Sequence, residues 1–420
     1  MRQLWSRIGE AVVAGCFVYA SISFNQSGAH RFFASCLLLP AKIVPLLPDM
    51  DNASFGVAPP RVLIVRVGAM GDVLHGMPAV AALRAAMPKA FIAWAIEPRW
   101  APLLRVSNDA EAGSVAMPLV DCVHLVPAKA WSKAPLSLVT GKSIAGLRRE
   151  LRDGRYDIAV DLQGTIRSSV IAKMTGAARV IGNDRPREGA ARWLFSERVP
   201  TQTPHVVEQA AELLSHALGN WLVPAVAPLP IDADAEDWCD GVVPPQRERT
   251  VFLAPTAGWG AKQWPVERYG AIAQALNYRG CRVLVNAAPG GDAVADAVVA
   301  ASGGTAEAVP STLPQMIAVL RRVALVIAGD SGPLHLAAAL NVPVVALFGP
   351  TDPARNGPWG TEARVLRHAL SVTNHRRHAA VEAGLAQITA DEVLAAALEM
   401  LGYAGSADLP AGGADARADG

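Results

Sequence analysis

From Arg61 onward the chain alternates short apolar runs, rich in β-branched residues, with stretches of helical period, and it passes through that alternation twice. Runs that are apolar at every position read as strands buried on both faces, and strands joined through helices pair in parallel. The first series predicts strands at 62–67, 90–96, 123–126, 156–162 and 179–182. Its helices fall at 73–87, 100–104, 142–152, 167–175 and 206–218. The second predicts strands at 250–254, 282–286, 325–329 and 344–348, with helices at 266–276, 293–301, 313–321, 330–340 and 391–401. Between them periodicity is lost and Pro, Asp and Glu accumulate, as in a linker. The expectation is an α/β fold with two Rossmann-like domains, 61–222 and 249–403, joined by a linker over 223–248 and facing across a cleft.

The chain has 420 residues, half of them hydrophobic (51%), and a formal net charge of +1. This composition excludes a disordered polyanion binder and argues against nucleic acid as a partner. Five scattered cysteines without a C-x-x-C pair suggest neither a zinc site nor a disulfide framework, which fits a reducing cytosol. Residues 1–60 form an extension of different character. Arg2 and Arg7 precede an apolar stretch at 8–24 that contains Glu10, and a second at 32–47 is broken by Pro40, Lys42 and Pro45. A helix over 8–24 would be about 25 Å long, short of the roughly 30 Å hydrocarbon core. An interfacial, membrane-associating segment is the preferred reading; a cleaved signal or a mis-assigned start are the others. Residues 404–420, rich in Ala, Gly and Asp, read as a disordered tail.

Chemistry concentrates where strands hand over to helices. Gly68-Ala69-Met70-Gly71-Asp72 follows the first strand, so Asp72 either presents its carboxylate to the cleft or caps the helix. In the second half Asp330-Ser331-Gly332-Pro333-Leu334-His335 joins a strand to a helix. Free N–H groups at Ser331 and Gly332 and the helix dipole suit an anion such as pyrophosphate. His335 faces the same mouth or is a satisfied core histidine. Lys262, on a glycine-rich loop before Trp264-Pro265, can neutralise a diphosphate, or is a solvated lysine beside a structural tryptophan. Gly349-Pro350-Thr351-Asp352-Pro353 is a rigid turn at the cleft wall. Asp292 suits a ribose hydroxyl or a helix cap. Lys142, Arg148, Arg149, Arg152, Arg185 and Arg192 read as solvated basic surface, the alternative being contact with an anionic ligand. His375-Arg376-Arg377-His378 reads as a basic surface loop.

Taken together, G-D-V-L-H-x-x-P-A, K-x-W-P, G-D-S-G-P-L-H-L-A-A-A-L and G-P-T-D-P resemble family 9 glycosyltransferases, and most closely the lipopolysaccharide heptosyltransferases of type I. Tyr156-Asp157, Asp161-Leu162-Gln163-Gly164, Arg167-Ser168, Arg187-Glu188 and His205-Val206-Val207-Glu208 extend the similarity over 61–401. The resemblance implies a GT-B fold, with an acceptor-binding first domain and a nucleotide-sugar-binding second domain. It implies inverting transfer of heptose from ADP-heptose to a Kdo residue of lipid A, without metal or cofactor.

Carried over, Asp72 is the general base. Lys262 stabilises the departing nucleotide, and Thr256, Asp292, Asp330, Ser331, Gly332 and His335 bind donor. Gly71, Gln163, Arg167 and Arg187 face the acceptor. The implied location is cytoplasmic, peripheral at the inner face of the cytoplasmic membrane. Asp292 stands where relatives often have glutamate, and no D-x-D motif falls where a metal-dependent transferase would want it. A family 9 transferase for another nucleotide sugar or a later core acceptor is the alternative. A nicotinamide-dependent oxidoreductase lacks its G-x-G-x-x-G, and a pure binding module would not need Asp72 opposite the phosphates.

Overall fold

A computed structural model of the chain describes residues 59–106, 118–243, 249–374 and 379–403, all within one compact unit. The apolar segments expected at 8–24 and 32–47, the run 375–378 and the tail 404–420 lie outside the described residues.

The first half contains β1 (Arg61–Val65), α1 (Met70–Ala86), β2 (Phe91–Ile96), β3 (Cys122–Leu125), α2 (Ala128–Lys133), α3 (Leu138–Asp153), β4 (Ile158–Asp161), α4 (Ile166–Met174), β5 (Arg179–Asn183), β6 (Glu197–Val199) and α5 (Val206–Leu218). Its strands are parallel in the order β3-β2-β1-β4-β5-β6. Helix α6 (Ala233–Val242) follows, then β7 (Thr250–Ala254), α7 (Val266–Tyr278), β8 (Arg282–Ala287), α8 (Ala293–Ala301), β9 (Ala306–Pro310), α9 (Leu313–Leu320), β10 (Leu325–Gly329), α10 (Gly332–Ala339), β11 (Val344–Phe348), α11 (Pro353–Asn356), β12 (Ala363–Arg367) and α12 (Ala390–Met400). The second sheet is also parallel, in the order β12-β11-β10-β7-β8-β9.

Counted from its own first strand, each sheet has the same winding. Chain direction reverses across the sheet between β1 and β4 in one half and between β7 and β10 in the other. A crevice opens at the carboxyl ends of strands at such a reversal. Asp72 and Gln163 follow β1 and β4; Lys262 and Asp330 follow β7 and β10. Both switch points therefore carry the residues singled out from sequence.

Central strands are fully buried, as their unbroken apolar runs require: every residue of β7, β10 and β11 is buried. One apolar cluster includes Val62, Ile64 and Trp94 of the first half together with Phe252, Val326 and Leu334 of the second. Helix α1 lies inside that cluster and is buried on most sides, including Val73, Met77, Val80 and Leu83. A helix apolar all round is one packed on all sides, and each large side chain so buried contributes about 1.5–3 kcal/mol.

The stretch expected as an unstructured linker contains α6. Asp232 caps it by accepting from Ala235 N at 3.0 Å. Glu236 then accepts from Arg321 (2.7 Å) and Arg322 (2.9 Å), and Asp240 from Arg322 (2.6 Å), tying α6 to the end of α9. Its apolar signal is short because only Ala235 and Cys239 are buried. The edge strands β6, β9 and β12 were also absent from the sequence expectation. β6 and β9 mix buried and exposed positions and β12 has only half-buried and exposed ones, so all three lack the continuous apolar run of central strands.

Candidate active site

Helix α1 begins at Met70, three residues earlier than its apolar period suggests, so Asp72 stands inside its first turn. The helix-closing reading of this residue is the one the structure shows. Asp72 Oδ2 accepts from the backbone N–H of Ala69 (3.2 Å), closing the helix start, while the side chain remains about one-third exposed (34%). Its other oxygen, Oδ1, accepts from Arg66 Nη2 at 3.0 Å. Arg66 is buried and also donates to Leu162 O, so it spans from β1 to the end of β4. Sequence reading missed Arg66. The signal was a lone arginine within an apolar strand run, since a buried charge requires a partner.

The loops after β1 and β4 are organised from below by Asp161. Its buried carboxylate accepts from Gln163 N (2.8 Å), Gly164 N (3.0 Å), Ser168 Oγ (2.9 Å) and Ser169 Oγ (2.8 Å). Burial pushes its pKa up against those four bonds. Gln163 Oε1 accepts from Val67 N (2.8 Å) and thereby pins the β4 loop to the β1 loop. Gly164 adopts φ +68°, and a Cβ there would lie 3.1 Å from Arg187 N, so the turn requires glycine. Arg187 and Arg167 are exposed on this rim, and neither side chain has an ion-pair partner among the described residues.

In the second half Lys262 is not a solvated lysine. Its Nζ lies 2.5 Å from Asp330 Oδ2 and 5.5 Å from the centroid of the Trp259 ring. Asp330 Oδ1 is 3.0 Å from His335 Nε2. Burial alone would raise the Asp330 carboxyl, but the His335 hydrogen bond and the Lys262 charge hold it well below the usual carboxylate range. His335 Nδ1 is in turn 3.1 Å from His75 Nε2, which belongs to α1 of the first half. The His75 ring stands edge-on to His205 (5.8 Å), whose Nε2 donates to Gly357 O at 3.1 Å. A polar chain of Lys262, Asp330, His335 and His75 thus crosses between the halves. His75 went unnoticed because its partner lies 260 positions away.

The start of α10 meets the start of α1. A Cβ on Gly71 would fall 2.6 Å from His335 Cδ2, and one on Gly332 would fall 2.0 Å from Met70 Cε. Gly332 was expected to leave room for a ligand; the nearest atoms filling that room belong to Met70. Beside it Ser331 Oγ is buried without a hydrogen-bond partner among the described residues, as are Ser311 Oγ and Thr351 Oγ1. These three hydroxyls sit in the loops that leave β10, β9 and β11. Buried hydroxyls without partners are costly, and three at one end of a sheet suit a polyoxygenated ligand. Asp292 caps α8, accepting from Val294 N (3.0 Å), and its second oxygen receives Thr256 Oγ1 at 3.3 Å. Trp264 is structural: its indole N–H donates to Ile388 O (3.0 Å) and its ring stacks edge-on with Tyr269.

Comparison with known proteins agrees with this architecture. The model of glycosyltransferase family 9 (heptosyltransferase) matches residues 144–385. Lipopolysaccharide heptosyltransferase 1 of Pseudomonas aeruginosa is 29% identical over 304 residues, covering 71% of this chain and 81% of that protein. The enzyme of the same name from Escherichia coli K12 is 28% identical over 312 residues, covering 73% and 93%. Among solved structures, E. coli heptosyltransferase WaaC with ADP superposes with a TM-score of 0.66 at 25% identity, covering 81% of this chain and 99% of that one. The two facing parallel sheets are those of the GT-B fold.

Proposed function

This chain belongs to glycosyltransferase family 9, and we propose that it moves heptose from ADP-heptose to a Kdo residue of the lipopolysaccharide inner core. Its relatives are named as lipopolysaccharide heptosyltransferases, and a structural neighbour was solved with ADP. In this reading 61–222 receives the acceptor and 249–403 holds the donor.

The observation that carries it is the pairing of two unlike groups on touching helix starts. Asp72, a half-buried carboxylate, opens α1; the Lys262–Asp330–His335 cluster and the Ser331 hydroxyl, unpartnered among the described residues, sit at the start of α10. Direct displacement needs one base for the nucleophile and fixed positive charge for the leaving group. The acceptor oxygen bonds to the anomeric carbon as the bond from that carbon to the diphosphate oxygen breaks, so the centre inverts. The acceptor proton passes to Asp72, and ADP departs with the electron pair. Lys262 and the first-turn N–H groups of α10 receive the new charge, a role another transferase assigns to a metal ion. Arg66 fixes the orientation of Asp72, while each carboxylate oxygen keeps a free lone pair for the incoming hydroxyl. Arg167 and Arg187, unpaired on the rim, suit an anionic acceptor. No helix among the described residues is long and apolar enough to cross a membrane; work on a lipid-anchored acceptor would be done from the cytoplasmic surface.

The test is transfer with purified protein, ADP-heptose and Kdo–lipid A in the presence of EDTA, with the anomer of the product assigned by NMR. Expected is an inverted product at an undiminished rate. Transfer only from a UDP-sugar, a retained anomer, or loss of activity with EDTA would each overturn the corresponding part.

A further inference from the structure

Helices α2 and α3 form a hairpin that leaves the carboxyl end of β3, the end of the sheet that also bears Asp72. At its tip Leu136, Leu138 and Val139 are 98%, 85% and 78% exposed, three large apolar side chains within four residues. They are not loose. Ser137 caps α3 by accepting from Thr140 N (3.1 Å), and Thr140 Oγ1 donates back to Ala134 O (2.8 Å). The Trp131 indole donates to Ser143 Oγ (3.0 Å), clamping one helix of the hairpin to the other. The inward face of α3 is satisfied by Thr140, Leu147 and Leu151, so the tip has no core to join. Residues 128–149 contain Lys129, Lys133, Lys142, Arg148 and Arg149 and no acidic residue. Every one of those five is exposed.

We propose that this hairpin tip docks the protein on an anionic lipid bilayer, with Leu136, Leu138 and Val139 entering the interface and Lys129, Lys133 and Lys142 resting at headgroup level. Isolated exposed apolar residues are ordinary, but a rigid apolar tip ringed by one sign of charge has the two attractions that hold peripheral proteins to anionic membranes. Lysine stems lie along apolar surface while their ammonium groups reach phosphate oxygens. The inference deepens the reading above and rests on it for the lipid-anchored acceptor, since docking at this edge brings the acceptor half to the bilayer.

The test uses the full chain in co-sedimentation with vesicles of phosphatidylglycerol and phosphatidylethanolamine, or of phosphatidylcholine alone, none containing acceptor. The triple variants Leu136→Ser/Leu138→Ser/Val139→Ser and Lys129→Glu/Lys133→Glu/Lys142→Glu are compared with the parent chain. Expected is partition of the parent to the anionic vesicles and a loss of about tenfold or more in each variant. Transfer to a deacylated, water-soluble acceptor stays within about twofold, because these side chains meet lipid and not the sugar. Unchanged partition in the variants overturns the proposal, whichever other segment then carries the binding. So does a parallel loss of transfer to the soluble acceptor, which would make the hairpin part of the sugar site. Vesicles without acceptor report docking whether or not the proposed transfer is right.

Discussion

His75 Nε2 and His335 Nδ1, 3.1 Å apart and both buried, form a hydrogen bond that crosses between the two halves of the molecule. Asp330 decides its direction. The carboxylate accepts from His335 Nε2–H, so a neutral His335 keeps Nδ1 as an acceptor and His75 must donate. Charging both rings would place two cations against one another out of water.

This pair predicts a pH dependence of stability. Burial, then the charges of His335, Arg66 and His205, hold the His75 pKa well below its ordinary value. The unfolded chain takes up a proton below about pH 6.5 that the folded chain refuses, so stability rises with pH and is lost as pH falls through that region. The slope contributed by His75 approaches about 1.4 kcal/mol per pH unit. Urea unfolding between pH 5 and 8 should show it, and His75→Gln, which keeps an N–H for His335 but does not titrate, should flatten it. An identical slope in the variant would locate the proton uptake elsewhere.

Asp72→Asn should separate chemistry from binding. Asparagine still offers an oxygen to the Ala69 N–H, so the helix start survives, but its NH2 then faces the buried Arg66 and stability should fall by about 1–3 kcal/mol. The proposed base is gone, and kcat should fall by about 10²–10⁴. Calorimetric titration with ADP should show affinity unchanged; weakened ADP binding would put Asp72 on the donor side.

Lys262→Ala leaves Asp330 buried with His335 as its remaining partner. Removing one member of a buried pair should cost about 3 kcal/mol in denaturant unfolding, and ADP affinity should drop with it. The double variant Lys262→Met/Asp330→Asn removes both charges and should regain most of the stability without regaining ADP. Recovery of both would mean that Lys262 serves the fold alone.

The two glycines at the helix starts should behave differently. On Gly332 a methyl meets the mobile end of Met70, so Gly332→Ala should cost about 1 kcal/mol and be relieved by Met70→Ala. On Gly71 it meets the His335 ring, which is held on two sides, and the cost should be nearer 2–3 kcal/mol, about the upper range for overpacking. Thermal melts of the three variants decide this. Equal effects would mean the ring yields as readily as the methionine.

What the sequence disclosed, and what it concealed, follows from where each signal is written. Strands β7, β10 and β11 are legible to the residue because burial on both faces leaves no exposed position and no charged residue inside them. Helix α5 is equally plain, closed by Gly219 in a left-handed turn at φ 69°. Edge strands hide because solvent on one side permits Glu307 or Arg364 within them. Asp72, Lys262 and Asp330 stand out because each follows a strand end. Arg66 and His75 do not, for their meaning depends on Leu162 and on a histidine in the other half. Motif spacing records neighbours along the chain; the hydrogen bond between the halves is recorded nowhere but in the folded molecule.

The apolar cluster that runs without a break from β1 to β10 has a further consequence. Because α1 carries the proposed base and is also interior packing for both sheets, admitting the proposed sugar nucleotide between the halves would not be the swing of two finished bodies on a free joint. Some of the molecule's own cohesion must be given up at each opening and recovered at each closure. A protein assembled this way couples turnover to resilience: substitutions that loosen the seam would speed traffic and lower the melting temperature together.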